Sequence, residues 1–123
     1  MATKQTEAIL EAIRGAEGPL SPAEIHDLAR ISVSTLGIAT VYRTISKLVG
    51  GGSIVVVPLP GEPDRYESAE KAEKHHHHFR CDECGRVFDL VGCVSGLSKL
   101  VPPGFEVLGH DLTLTGRCSA CAV

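Results

Sequence analysis

Apolar residues recur at helical spacing three times in the first half of the chain. Thr6 to Arg14 sets Ile9, Ala12 and Ile13 on one stripe, and Gly15 with Gly18-Pro19 ends it. Ser21-Pro22-Ala23-Glu24 then writes a helix start: Ser21 as N-cap, Pro22 in the first helical position, and Glu24 placed to reach back to the cap amide. Behind it Ile25, Leu28 and Ala29 are expected to face the core. After a loop through Ser32 to Gly37, Ala39 to Val49 puts Val41, Ile45 and Leu48 on one face. Thr40, Tyr42, Arg43, Ser46 and Lys47 occupy the other, and Gly50-Gly51-Gly52 stops the helix. The period then changes. Ile54 to Val57 is a β-branched run, Pro58 to Pro63 a turn, and Arg65 to Glu67 a second short strand. Three helices closed by such a hairpin predict a winged helix-turn-helix over residues 1–68.

Residues 69–74 are polar and read as a linker. Beyond them, residues 75–123 predict a small second domain with strands at His75–Cys81, Arg86–Val91 and Gly104–Gly116 and a brief helix around Val94–Leu100. The expected class is α+β.

Composition says how these lobes must be held. The chain has 123 residues, of which only 4% are aromatic, with 13 Gly and 7 Pro. Two lobes of about 60 residues each bury little apolar surface, so a metal, a partner subunit or both must supply stability. No apolar run of membrane-spanning length occurs. Glu7 and Glu11 in the first segment do not suit a secretory signal, so the expected location is cytoplasmic. In a reducing compartment the five cysteines point to metal rather than disulfides.

The net charge is −3, with 12 basic and 15 acidic residues. Residues 1–49 are balanced, five basic against five acidic, so the acidic excess lies in the remainder. A polyanionic partner would therefore meet the N-terminal half.

The sharpest chemical signal is Cys81-x-x-Cys84 with Cys118-x-x-Cys121. Two tight turns that each present two thiolates build a closed tetrahedral S4 site, suited to structural Zn²⁺, and Gly85 fits the first turn. Such a site is worth on the order of 10 kcal/mol to a small domain's folding. Cys93 stands outside the pattern and is expected as a small buried hydrophobe.

His75-His76-His77-His78 precedes the first cysteine turn directly. In an extended strand, His75 and His77 face one way and His76 and His78 the other, giving two half-sites for a divalent metal. Glu67, Asp89 and His110 are nearby candidates to complete them. Zn²⁺, Fe²⁺ and Mn²⁺ all accept such nitrogen and oxygen donors.

Gly37-Ile38-Ala39-Thr40-Val41-Tyr42-Arg43, the block HHHHFRCDECGRVFDL, Gly109-His110 and Gly116-Arg117-Cys118-Ser119-Ala120-Cys121 together resemble, in order and spacing, the ferric uptake regulator (Fur) family. The resemblance implies a homodimeric, metal-dependent transcriptional regulator, usually a repressor, that binds double-stranded DNA. It implies an N-terminal winged helix and a C-terminal dimerisation domain. Carried over by position, the four cysteines match the structural zinc site, and Glu67, His76, His78 and Asp89 the regulatory site, which would hold Fe²⁺, Zn²⁺ or Mn²⁺. His75, His77 and His110 match ligands of an additional site. Thr40, Tyr42, Arg43 and Lys47 fall on the recognition helix. The chain departs from the pattern at two ligand positions: Pro19 stands where many members place a histidine, with His26 a possible substitute, and Gly96 stands near the additional site's usual carboxylate.

A different class of function, metal storage or delivery through the His and Cys cluster without DNA reading, would leave the winged helix without a task. A zinc hydrolase or deaminase would need an H-x-E or H-E-x-x-H pattern, which the sequence lacks. The expectation is therefore a regulator and not an enzyme.

Overall fold

The computed structural model describes residues 3–74 and 76–122. It divides into two compact units, Met1–His75 and His76–Val123.

The first unit begins with helix α1, Lys4–Gly15, two residues earlier than the apolar stripe suggests. The reason is local. Thr3 acts as N-cap, its hydroxyl accepting from the Thr6 amide at 3.1 Å. Helix α2 spans Pro22–Ala29 and carries the expected capping box: the Ser21 hydroxyl accepts from the Glu24 amide (3.2 Å) and the Glu24 carboxylate from the Ser21 amide (2.9 Å). Ile25 and Ala29 are buried as expected, but Leu28 is 44% exposed, a correction to the predicted core. In a helix of eight residues the buried stripe narrows to the i, i+4 pair, and Leu28 falls beside it.

Helix α3 spans Ile38–Gly50, and its Val41, Ile45 and Leu48 are buried against Ile9, Ile13, Ile25 and Ile54 in a single apolar cluster. Thr44 is buried on the same face, which the apolar pattern did not show. Strands β1 (Ile54–Val57) and β2 (Arg65–Ser68) pair antiparallel with Ile54 opposite Ser68 and Val57 opposite Arg65. Leu20 exchanges two backbone hydrogen bonds with Tyr66 (2.8 and 2.9 Å), so the segment before α2 lies along the hairpin as a third, one-residue edge. The unit is a winged helix-turn-helix.

One ion pair locks the wing to α2. Arg65 donates from Nη1 to Glu24 Oε1 at 2.5 Å and to the Pro19 carbonyl at 3.2 Å. The Arg65 side chain is almost fully buried, while Glu24 keeps 29% of its side chain exposed. Removing one partner of a buried pair strands the other charge, costing about 3 to 5 kcal/mol when both are fully buried. For Glu24→Ala we expect about 2 to 3 kcal/mol, since solvent screens this carboxylate. Urea unfolding followed by circular dichroism measures it, and an unchanged midpoint would show the pair to be energetically idle.

Residues 69–74, expected as a linker, hold a single helical turn, α4, Ala69–Ala72, capped by Ser68. The Ala69 amide donates to the Ser53 carbonyl (3.1 Å) and Lys71 Nζ to the Ala16 carbonyl (2.6 Å), so the segment belongs to the first unit.

The second unit is a three-stranded sheet in the order β4-β3-β5: β3 His77–Cys81, β4 Val87–Leu90 and β5 Thr113–Gly116. β3 runs antiparallel to β4 and parallel to β5. The long strand expected from Gly104 to Gly116 shrinks to its last four residues. Phe105, Val107 and Leu108 have strand-like composition but are exposed, and the expected helix is a 3-10 turn at Leu97–Leu100. Among the described residues of this unit, the buried side chains are His77, Cys81, Val87 and Cys118. Three of those four are candidate metal ligands, so the usual apolar core is missing.

Candidate metal centres and nucleic-acid interface

The first cysteine turn closes the β3–β4 hairpin. The Gly85 amide donates to the Cys81 carbonyl (2.9 Å), and Gly85 itself sits at φ +75°, a left-handed conformation that costs glycine nothing. This folds the Cys84 amide back toward Cys81 Sγ at 3.5 Å. The second turn follows β5. The Cys121 amide donates to the Cys118 carbonyl (2.9 Å) and the Cys118 amide points at Cys81 Sγ (3.4 Å). The four sulfurs all lie within 4.8 Å of one another, and Cys84 and Cys118 Sγ are 3.8 Å apart. Four thiolates about 2.3 Å from one zinc, tetrahedrally placed, would be separated by about 3.8 Å. The residues therefore fit a closed S4 zinc site.

Electrostatics point the same way. The Cys84 and Cys118 amides hold the Cys81 thiol down at about 6, against an ordinary 9.0. Cys121 is pushed up to about 12, chiefly by the Cys118 and Cys81 sulfurs beside it. One thiolate forms readily and the last resists, its proton held in hydrogen bonds by the neighbouring sulfurs, with burial and charge repulsion the smaller causes. A divalent cation removes that penalty.

The histidine run obeys strand parity as far as it is described; His75 lies outside the described residues. His78 stands directly opposite Asp89 in the β3–β4 ladder. His76 Nε2 and His78 Nε2 approach the same Asp89 oxygen, Oδ1, at 3.3 and 3.4 Å, and their rings meet edge to face with centroids 5.0 Å apart. His78 Nε2 and Asp89 Oδ1 are both buried and satisfy no hydrogen bond among the described residues. Burial lowers the pKa of His78, partly offset by Asp89, which favours the neutral imidazole that coordination requires. Two imidazoles and a carboxylate converging on one point suit a divalent cation. Glu67, the fourth residue expected with them, is buried on β2 of the first unit.

On the opposite face of β3, His77 is 3% exposed and stacks on His110, with centroids 4.9 Å apart. Here the sequence reading needs correction. Cys93, expected as a buried hydrophobe, is exposed, and its Sγ lies 3.1 Å from His110 Nε2 and 3.5 Å from His77 Nε2. The two Nε2 atoms are 3.2 Å apart. The one signal available in the sequence was that Cys93 is the cysteine left over from the pairs.

At the two departures the structure shows what the residues do. The Pro19 carbonyl serves Arg65. His26 Nε2 is bonded to the Leu36 carbonyl at 2.8 Å, which ties α2 to the loop before α3 and commits that nitrogen. Gly96 sits at φ +79° as the N-cap of the 3-10 turn, where a carboxylate-bearing residue would be strained.

The exposed face of α3 carries Tyr42, 56% exposed, with Arg43 and Lys47 also in solvent and Thr40 half-buried. Arg43 Nη2 donates to Thr40 Oγ1 at 3.1 Å, so Thr40 orients the guanidinium. The N-cap of α3 is Gly37, which offers no side chain to cover the first-turn amides.

Comparison with known proteins agrees with this arrangement. A profile of the Ferric uptake regulator family matches residues 1–115. A ferric uptake regulation protein of Campylobacter jejuni is 27% identical over 97% of this chain and 78% of its own. A zinc uptake regulation protein of Mycobacterium tuberculosis is 29% identical over 97% and 92%. The solved structure of the ferric uptake regulator from Francisella tularensis with iron matches with a TM-score of 0.68 at 26% identity, covering 98% of this chain and 93% of that one. With its winged helix, its cysteine turns and its split histidine run all in the family's order, the chain belongs to the ferric uptake regulator family of metal-responsive transcription regulators and is not an enzyme.

Proposed function

We propose that this protein is a homodimeric repressor that binds double-stranded operator DNA when a divalent metal occupies Glu67, His76, His78 and Asp89, while a Zn²⁺ on the four cysteines keeps the second unit folded. The observation that carries the reading is the convergence of His76 and His78 on Asp89 with unsatisfied polar atoms between them. Mixed imidazole and carboxylate donors bind more weakly than S4 sites, as reversible sensing requires. The regulatory ion would be Fe²⁺, Zn²⁺ or Mn²⁺. Relatives named for ferric and zinc uptake regulation support that range.

The second unit leaves Val91, Val94, Leu100, Phe105, Leu108 and Leu114 exposed, more apolar surface than a small monomer usually carries. β4 and β5 are both free sheet edges among the described strands. This surface suits a second copy of the chain, and two copies would present two recognition helices to successive turns of DNA.

Helix α3 is the proposed reading element. Its uncapped first turn is the positive end of the helix, and Arg43, positioned by Thr40, stands beside Tyr42 and Lys47 on the exposed face. Arg43→Ala is expected to weaken operator binding by about 1 to 3 kcal/mol while leaving the fold intact, because it packs against nothing in the core. Fluorescence anisotropy on a duplex selected from a random pool, at fixed salt, measures the loss. Unchanged affinity would remove Arg43 from the interface.

The decisive experiment for the whole reading is that titration with and without a chelator. Metal-dependent binding to the duplex supports a regulator, whereas tight metal uptake with no DNA affinity would instead support metal storage or delivery.

A further inference from the structure

We propose that Cys93 supplies the anionic ligand of the additional site that the family resemblance places at His77 and His110, making it a two-imidazole, one-thiolate centre that prefers zinc to hard cations such as Mn²⁺. It differs in donor set from both the S4 site and the imidazole and carboxylate site. Family resemblance offered only histidines here, with glycine at the carboxylate position; the structure supplies the missing anionic donor from the 91–96 loop.

Three observations carry the assignment. The first is spacing. The nitrogens are 3.2 Å apart, and the sulfur lies 3.1 and 3.5 Å from them. Tetrahedral ligands at about 2.0–2.1 Å for Zn–N and about 2.3 Å for Zn–S would sit about 3.4 Å and about 3.6 Å from one another. The second is aim: three side chains from β3, from the loop after β4 and from the segment before β5 direct their metal-binding atoms at one place. Of these His77 is deeply buried, a poor place for an imidazole without a fixed role. The third is separation by parity. His77 points away from His76 and His78, so Cys93 is not a spare ligand of the regulatory site.

The donor set fixes the metal class. Thiolate is a soft ligand and imidazole a borderline one, a combination that suits zinc and disfavours Mn²⁺ and Mg²⁺, which favour oxygen. The described residues supply three donors, and the exposure of Cys93 leaves the site open to solvent on that side. A metal here would pin the 91–96 loop to the sheet.

The test uses the protein as purified, with its S4 site filled by zinc, and titrates Co²⁺ as a spectroscopic substitute. Thiolate-to-cobalt charge transfer is expected by two equivalents, since the His76 and His78 site can take the other, with the original zinc retained by elemental analysis. His76→Ala/His78→Ala should keep the band, and Cys93→Ser should lose it. Losing even an outer partner of a metal ligand costs about 10- to 100-fold in affinity, so Cys93→Ser is expected to weaken zinc binding at this centre on the order of 100-fold. As a second readout, zinc should shield Cys93 from alkylation by iodoacetamide, followed by mass spectrometry. Cobalt uptake without a charge-transfer band, a band that persists in Cys93→Ser, or alkylation of Cys93 at an unchanged rate in zinc would each overturn the proposal. No DNA enters these measurements, so their outcome is separable from that of the regulatory reading.

Discussion

Cys118→Ser is expected to leave the second unit without a stable fold and the protein without its resident zinc. Cys118 is buried, and its amide and sulfur both face Cys81. Among the described residues of this unit, only Val87 and His77 are buried beside Cys81 and Cys118, so little apolar core remains to compensate. Zinc binding in small modules of this kind is worth on the order of 10 kcal/mol, as much as the whole stability of an ordinary domain. The measurement is zinc per chain by elemental analysis beside sedimentation and far-UV circular dichroism. A dimeric, fully folded, zinc-free Cys118→Ser protein would show that the four thiolates are dispensable for structure. The first unit, with its own apolar cluster, should keep its helical signal in the variant.

The second large effect is expected from His76→Ala/His78→Ala, which should abolish the dependence of DNA affinity on added metal. Allosteric coupling of this kind amounts to about 1 to 3 kcal/mol, or about 5- to 150-fold in affinity. Thermodynamic reciprocity requires that operator DNA tighten metal binding by the same factor in the unaltered protein and by none in the variant. His77→Ala, on the other face of β3, should retain the coupling. If His76→Ala/His78→Ala kept full metal-dependent binding while His77→Ala lost it, the regulatory ion would belong to the opposite face.

How far the sequence could be read depends on the range of the interactions involved. The capping box at Ser21 and Glu24 and the cysteine turns are local, and local chemistry determines local geometry. The division of the histidines was legible because side chains alternate in any strand. What escaped was set by tertiary contact. Nothing in the sequence places Cys93 beside His110, since their approach depends on where two loops cross the sheet. Leu28 reads as core at helical spacing, but the shortness of α2 leaves it at the margin. Phe105 and Val107 alternate as a strand would, yet among the described residues no partner strand meets them. The part-buried Glu24–Arg65 pair likewise joins residues far apart in the chain, and neither carries a mark of it.

Four consecutive histidines are degenerate under translation: slide such a run by one residue and its composition is unchanged. In a strand, however, that slide would exchange the inward and outward sets. The imidazoles meant for Asp89 would then face the thiol of Cys93, and the two kinds of metal chemistry would trade places. What removes the degeneracy lies at the far end of β3, where Cys81 is held by three other sulfurs and by the amides of two turns. The cysteine cluster is therefore a phase reference as well as a staple. It fixes the frame in which an otherwise ambiguous word is read, and so decides which side chains each histidine faces.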